Sequence, residues 1–86
     1  MKITWDEPKR LANIAKHGVD FAVIGEGFFA AAIVVPARDG RWKAIGWLGG
    51  FVAAVIFKPL GAEALSIISA RPAARPERKV ANGQSV

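Results

Sequence analysis

The chain has 86 residues, which suits a single domain, and it contains one histidine and no cysteine. A disulfide framework, a thiolate metal site and the usual zinc-ligand spacings are therefore excluded. Twelve Lys and Arg against seven Asp and Glu give a net charge of +5, which points to an anionic partner such as nucleic acid, an acidic protein or a membrane surface.

The first elements in chain order are a short β-prone run at residues 2–5 and a helix. Asp6 is expected to cap this helix with its side chain, and Pro8 fits the first turn, where a missing N–H costs little. Gly18 predicts a left-handed stop, and His17 before it suits the negative end of the helix dipole. The predicted apolar face consists of Leu11, Ile14 and Ala15.

A second helix is predicted to begin after Asp20. Its apolar face would contain Phe21, Ile24 and Phe28, which follow one another at helical spacing. The glycines at 25 and 27 weaken this helix by roughly 1 kcal/mol each relative to alanine. We therefore expect packing of the apolar face to stabilise it.

The remaining chain predicts an antiparallel meander and a terminal helix. Turn residues at 37–40, 49–50 and 58–61 separate four β-prone runs, at residues 32–35, 42–48, 51–57 and 64–70. Pro72 ends the last strand, and a short helix follows to about Ala81. The prediction is one α+β domain over residues 1–81, with its helices on one face of an antiparallel sheet of about four strands, and a frayed tail over 82–86.

Membrane insertion is not expected. The longest uncharged run, residues 44–57, is shorter than the roughly 20 apolar residues that a spanning helix needs. The first ten residues lack the apolar core of a signal peptide. We expect a soluble, cytoplasmic chain.

The residues that suggest chemistry are cationic. Lys16 and His17 end the first helix, Arg71 ends the last predicted strand, and Arg41 and Lys43 flank Trp42. RNA cleavage without a metal needs proton transfer and stabilisation of phosphate charge, which histidine, arginine and lysine supply. An exposed tryptophan can also stack on an unpaired base.

Each of these residues also has a structural interpretation. His17 could stabilise a helix end, Trp5 and Trp42 could be core or interface residues, and Arg71 could pair with Asp6 or Glu7. The C-terminal basic run could be a solvated helix face. A Ser69–His17–Asp6 triad is a minor alternative. The residues alone indicate a basic α+β domain suited to RNA.

A sequence-specific resemblance adds to this interpretation. The segment ITWDEPKRLANIAKHGVDF carries a pattern, and IISAR followed by a Glu-Arg pair carries another. These two segments, in this order along the chain, resemble the sequence pattern of the BrnT family of toxins from type II toxin–antitoxin systems. The matching positions are Trp5, Asp6, Lys9, Asn13, Lys16, His17, Gly18, Val19, Phe21, Ala44-Ile-Gly46, the hydrophobic strand at residues 51–57, Ile67 to Arg71, Glu77 and Arg78.

The resemblance implies a RelE-like fold and a ribonuclease that cleaves RNA without a metal or cofactor and inhibits translation. It implies neutralisation by a ribbon-helix-helix antitoxin, through which the complex contacts operator DNA. The implied catalytic residues are Arg71, His17, Lys16 and Arg41, with Arg71 holding the scissile phosphate. The resemblance adds Trp5 or Lys9 in support of this site. The full set of residues that we expect to bind RNA is Lys9, Lys43, Trp5, Arg75 and Arg78.

The chain also departs from the pattern that it resembles. The family often carries an acidic residue directly before the arginine matched by Arg41, where this chain has Gly40, and a tyrosine after the Glu-Arg pair, where it has Lys79-Val80. An alternative is therefore an interaction module of the same fold with weak or lost catalysis, acting as antitoxin partner or co-repressor. A membrane-surface protein is a third and weaker alternative, suggested by residues 44–57.

Overall fold

The computed structural model describes residues 1–83. Over that range the chain forms one five-stranded sheet with helices on both of its faces. The predicted α+β class is confirmed. The elements in chain order are β1 (Lys2–Trp5), α1 (Glu7–His17), a 3₁₀ turn (Phe21–Val23), α2 (Glu26–Ala31), β2 (Ile33–Pro36), β3 (Trp42–Leu48), β4 (Phe51–Leu60), β5 (Ala64–Pro72) and α3 (Arg75–Ala81).

The sheet is mixed, with strand order β1-β5-β4-β3-β2. The strands from β2 to β5 form the predicted antiparallel meander, but β1 pairs with β5 in parallel, from Lys2 opposite Ala64 to Trp5 opposite Ile67. The prediction of an antiparallel sheet of about four strands is therefore wrong. Strand β1 pairs with the edge of β5 that faces away from β4, and beyond Ile67 no strand within residues 1–83 pairs with this edge, which we call the open edge of β5.

The helices lie on opposite faces of the sheet, so the predicted one-sided packing is wrong. Successive strand residues point to opposite faces. Ala44 belongs to the main core, beneath α1, the 3₁₀ turn and α2, whereas its neighbour Ile45 belongs to a smaller cluster with Ala73 and Ala81, at the two ends of α3. We call these two sides the α1 face and the α3 face.

Helix α1 begins and ends where the sequence predicts, but two details differ. Asp6 occupies the N-cap position without a side-chain cap hydrogen bond. Gly18 is left-handed, with φ 72°, and its N–H donates to the carbonyl of Ile14, as expected. The predicted apolar face is wrong, because Leu11 is 55% exposed while Asn13 is buried. Hydrogen bonds to β5 explain why a polar residue occupies the buried position.

The second predicted helix is divided into the 3₁₀ turn and α2. Asp20 caps the turn by accepting from the N–H of Ala22, but the turn has three residues. Helix α2 begins after Gly25, whose extended backbone separates the two elements. The division agrees with the low helix propensity of glycine. The predicted apolar residues Phe21, Ile24 and Phe28 are all buried in the main core.

Two C-terminal boundaries differ from the prediction. Strand β4 continues through the predicted turn to Leu60, because its partner β5 begins at Ala64 and the pairing extends to that end. Beyond α3, the N–H of Asn82 donates to the carbonyl of Arg78, so the first residue of the predicted tail continues the helical hydrogen bonding. The rest of that tail, residues 84–86, lies outside the described residues. No helix within residues 1–83 is long and apolar enough to cross a membrane.

Candidate active site

Asn13 fixes α1 against the open edge of β5. Strand β1 pairs with β5 only as far as Ile67. Three residues further on, the Asn13 amide takes the place of a neighbouring strand: its Nδ2 donates to the carbonyl of Ala70 at 2.8 Å, and its Oδ1 accepts from the N–H of Ala70 at 3.1 Å. The same Nδ2 donates to the carbonyl of Val19 at 2.8 Å. The C-terminal half of α1 is thereby held beside β5.

A hollow lies between this part of α1 and β5. Its basic side chains come from the first and last turns of α1, and its floor comes from β5. The lining residues are Lys9, Ala12, Asn13, Lys16, His17, Ile68 and Ser69. The structure thus brings two predicted catalytic residues, Lys16 and His17, next to β5.

Another hollow lies on the α3 face, where the turn between β2 and β3 approaches the sheet. The turn is closed by the N–H of Ala37, which donates to the carbonyl of Arg41 at 2.9 Å. Asp39 and Gly40 have positive φ at its tip. The lining residues are Ala37, Arg38, Arg41, Ile56, Ile68 and Ser69.

A β-bulge joins the two hollows. The β4–β5 register passes from Ile56 opposite Ser69 to Phe57 opposite Ile67, so Ile68 is the extra residue. Ile68 and Ser69 line both hollows. The bulge therefore brings cations from α1 and from the β2–β3 turn to the same stretch of β5.

A third group of charges lies on the α3 face and consists of Lys43, Arg71 and Glu77, which we call the Glu77 cluster. Arg71 donates through both terminal nitrogens to the two Glu77 oxygens, at 2.7 and 3.0 Å. Lys43 Nζ donates to Oε2 at 2.8 Å. These bonds, that of Arg71 above all, lower the pKa of Glu77 from 4.5 to about 2 against the opposing effect of burial.

The predicted pairing of Arg71 with Asp6 or Glu7 is wrong. Glu7 instead pairs with Arg10 at 2.6 Å, and Arg10 also binds Asp20. The alternative triad of Ser69, His17 and Asp6 is wrong as well. Asp6 and His17 stand at opposite ends of α1, about 16 Å apart at the rise of an α-helix.

The Glu77 cluster borders the hollow on the α3 face. Arg71 and Ser69 are two residues apart on β5 and so point to the same face. Ser69, Ile56 and Lys43 face one another across three adjacent strands. The predicted residues Arg41, Lys43 and Arg71 therefore share one face, and Lys16 and His17 reach the bulge from the other side of β5.

Three other residues predicted to bind RNA line neither hollow. Trp5 packs on the main core, and its indole N–H donates to Glu7 Oε1 at 3.1 Å. Arg78 on α3 donates to the carbonyl of Ala73 at 2.9 Å, and Arg75 is exposed at the start of the same helix.

Sequence reasoning missed three residues of this region and gave a fourth, Ser69, a different role. Asn13 and Glu77 were visible only as parts of the family pattern, because their hydrogen-bond partners are distant in sequence or on another element. Arg38 lies in a predicted turn, and Ser69 was considered only as the nucleophile of the alternative triad. Among residues 1–83, no three His, Asp or Glu side chains are grouped so that they could hold a metal.

The comparison with protein families decides the assignment. The model described as "Ribonuclease toxin, BrnT, of type II toxin-antitoxin system" matches residues 5–77. The chain belongs to the BrnT family. The match contains α1, the bulge and all of the Glu77 cluster, and membership of a type II family implies an antitoxin partner. No curated protein matches the chain.

A solved structure agrees with the family assignment. The chain is similar to the Brucella abortus ribonuclease toxin BrnT, known from a 1.1 Å crystal structure. The two chains are 56% identical, and the TM-score is 0.81. The alignment covers 87% of this chain and 99% of the Brucella chain.

Proposed function

We propose that this BrnT-family chain is an endoribonuclease toxin that cleaves RNA without a metal at the surface around the Ile68 bulge. The observation that carries the proposal is a group of basic side chains without ion-pair partners among residues 1–83, converging on one stretch of strand. They line the two hollows that meet at the bulge: Lys9, Lys16, His17, Arg38 and Arg41.

The proposed reaction is an internal transphosphorylation. The 2′-oxygen attacks the adjacent phosphorus, the bond from phosphorus to the 5′-oxygen breaks, and a 2′,3′-cyclic phosphate and a 5′-hydroxyl result. One proton leaves the 2′-hydroxyl and another reaches the 5′-oxygen. His17, the single imidazole of the chain, carries out one of these transfers.

The cations supply the remaining catalysis. Negative charge develops on the phosphate oxygens in the transition state, and Lys16, Arg41 and Arg71 stabilise it. Arg71 holds the scissile phosphate with the donors that Glu77 leaves free. The proposed outer contacts to RNA are Lys9, Lys43, Trp5, Arg75 and Arg78.

The test is cleavage of end-labelled RNA by the purified protein in excess EDTA. We expect products that end in a 2′,3′-cyclic phosphate, and a loss of about 100-fold in kcat for Arg41→Ala, as for removal of one transition-state donor. Lys58→Ala, at an exposed lysine on β4, is the control and should cleave normally. Loss of activity in EDTA would overturn metal independence, and a fully active Arg41→Ala would overturn the site.

In cells, we propose that this cleavage inhibits translation and that a ribbon-helix-helix antitoxin neutralises the toxin and supplies the contact with operator DNA. Expression of the chain alone should arrest growth, and co-expression of such a protein from the neighbouring reading frame should restore it. Arg71→Ala should relieve the arrest while remaining folded. If Arg71→Ala is folded and fully toxic, the role of Arg71 is wrong.

A second function is favoured by two observations at the site. Gly40 stands where the family often has an acidic residue, and the Arg71 fork is occupied by Glu77. Both observations favour weak catalysis, in a chain that acts mainly by binding its antitoxin or as a co-repressor. A purified protein that binds its antitoxin tightly but leaves RNA intact would establish this alternative.

A further inference from the structure

Glu77 is the carboxylate that lies closest to the proposed phosphate-binding cations, and the proposed reaction gives it no part. It is 9% exposed and accepts hydrogen bonds from Arg71, Lys43 and the N–H of Ala74. We propose that Glu77 is a positioning residue, which orients the Arg71 guanidinium and the Lys43 ammonium toward an RNA phosphate. This inference rests on the proposed function.

The hydrogen bonds of Glu77 exclude a role as general base. Oε1 accepts from Arg71 and from the N–H of Ala74, both at 2.7 Å, and Oε2 accepts from Arg71 at 3.0 Å and Lys43 at 2.8 Å. Both oxygens are therefore occupied. A carboxylate with a pKa of about 2 also remains ionised near neutrality and is a poor proton acceptor.

The position of Glu77 is itself fixed by the start of α3. Its side chain folds back onto the N–H of Ala74, the N-cap residue, as in a capping box. The preceding residue, Ala73, donates its N–H to the carbonyl of Val52 on β4 at 2.8 Å. The carboxylate is thus held by one helix turn that is itself anchored to the sheet.

The cluster keeps donors for a ligand. An arginine has five N–H donors; Arg71 gives two to Glu77 and one, at 3.4 Å, to the carbonyl of Pro72, and its side chain remains 37% exposed. Lys43 has three donors and gives one to Glu77. Two cations and one carboxylate leave a net charge of +1. Fixing both side chains before RNA arrives lowers the entropy cost of ordering them in the complex.

Two other roles would give different kinetics. A residue that only attaches α3 to the sheet would affect stability and leave the kinetics of the folded protein unchanged. A residue that only weakens the positive field would, when neutralised, improve RNA binding without slowing the reaction. A positioning residue affects kcat through Arg71.

The experiment measures kcat and KM for RNA cleavage by Glu77→Gln, at a temperature where circular dichroism shows the variant folded. Glutamine keeps the size of the side chain and removes its charge. We expect kcat to fall at least about tenfold, with KM unchanged or lower because one negative charge is removed. The matched control is Glu63→Gln, at an exposed acid in the turn before β5, which should cleave normally.

A double-mutant cycle tests whether Glu77 acts through Arg71. In an Arg71→Ala background, Glu77→Gln should produce a smaller further loss of kcat than in the wild type, since only Lys43 remains of the two cations that it orients. Additive losses would overturn the inference. If Glu77→Gln does not fold, Glu77→Asp takes its place: it keeps the charge but withdraws it by one methylene, and the same loss of kcat is expected.

The outcomes separate the inference from the function on which it rests. If the wild-type protein cleaves RNA and Glu77→Gln cleaves it equally well, only the inference is overturned. If the wild-type protein leaves RNA intact, the proposed function is overturned and the inference with it.

Discussion

Asn13 and Glu77 are the buried polar side chains of residues 1–83, and both connect a helix to the sheet. A buried polar group costs free energy unless it is hydrogen-bonded, and no side-chain N or O atom buried within that range lacks a partner. Asn13 joins α1 to β5, and Glu77 joins α3 to β3 and β5. Asn13 therefore fixes the helix on one side of the candidate site, and Glu77 fixes the helix on the other side.

Replacing Asn13 should destabilise the protein. Asn13→Ala leaves the N–H of Ala70 and the carbonyl of Val19 without their partner, at a cost of about 2 to 3 kcal/mol in the free energy of unfolding. Urea denaturation measures this change. Asn82→Ala, at an exposed asparagine after α3, should change the same free energy by less than about 0.5 kcal/mol. Equal stability of the two variants would contradict the role given to Asn13.

Glu77 should make stability depend on pH in acid. Its pKa is lowered from 4.5 to about 2 by folding, so its contribution is complete above pH 4.5 and is lost as the pH falls through 2. The difference in unfolding free energy between wild type and Glu77→Gln should shrink by about 2 to 3 kcal/mol over that interval. Denaturation at pH 6 and pH 2.5 measures it. A constant difference would mean that Glu77 has an ordinary pKa in the folded protein.

At the scale of elements, backbone conformation sets where the helices near the site begin and end. Gly18 ends α1 in the left-handed region, immediately after His17. Gly46 on β3 allows close packing of α2, because a Cβ there would lie 3.3 Å from Ala32. Gly27, by contrast, lies within α2 with nothing within 4 Å of its absent Cβ. These surroundings give opposite expectations for alanine at different glycines.

Alanine at Gly18 should destabilise the protein by about 1 kcal/mol, because a residue with a Cβ is strained at φ 72°. Alanine at Gly27 should stabilise it by about 0.5 to 1 kcal/mol, because the helix gains propensity without a clash. Thermal or urea denaturation of the two variants provides the comparison. Changes of the same sign would contradict this interpretation of the two backbone positions.

For the whole molecule, the distribution of ion pairs matters more than the net charge. The acids Glu7 and Asp20 bind Arg10, and Glu77 binds Lys43 and Arg71. Around the bulge, the hollows contain cations that form no ion pair within the described residues. A phosphate chain would therefore meet, at the bulge, positive charge that no acid within residues 1–83 pairs with.

RNA binding should consequently weaken as the salt concentration rises. Comparing the salt dependence of two lysine variants tests which lysine contacts a phosphate. For single-stranded RNA, removing one cation that neutralises a phosphate makes the slope of log K against log salt shallower by roughly 0.7. Lys16→Ala should show this shallower slope, whereas Lys58→Ala should retain the wild-type slope. Fluorescence anisotropy with a labelled RNA at several salt concentrations measures both. Equal slopes would remove Lys16 from the RNA-binding surface.

The sequence by itself determined the family pattern and the local elements. The meander, the Gly49-Gly50 turn, the end of α1 at Gly18 and the C-terminal helix were all predictable, because side-chain periodicity and turn chemistry act over a few residues. The cations of the candidate site were predicted from the same local positions together with the family resemblance. Their partners were not.

Only the tertiary structure decided what depends on contacts between distant residues. The sequence around Trp5 does not indicate that β1 pairs in parallel with β5, where Trp5 lies opposite Ile67, 62 positions away. The sequence around Asn13 likewise does not indicate that its amide forms hydrogen bonds with Ala70. Helix α3 packs on the face of the sheet opposite to α1, and this packing brings Glu77 to Arg71. Such contacts are selected by burial and hydrogen bonding in the folded state, which no local pattern records.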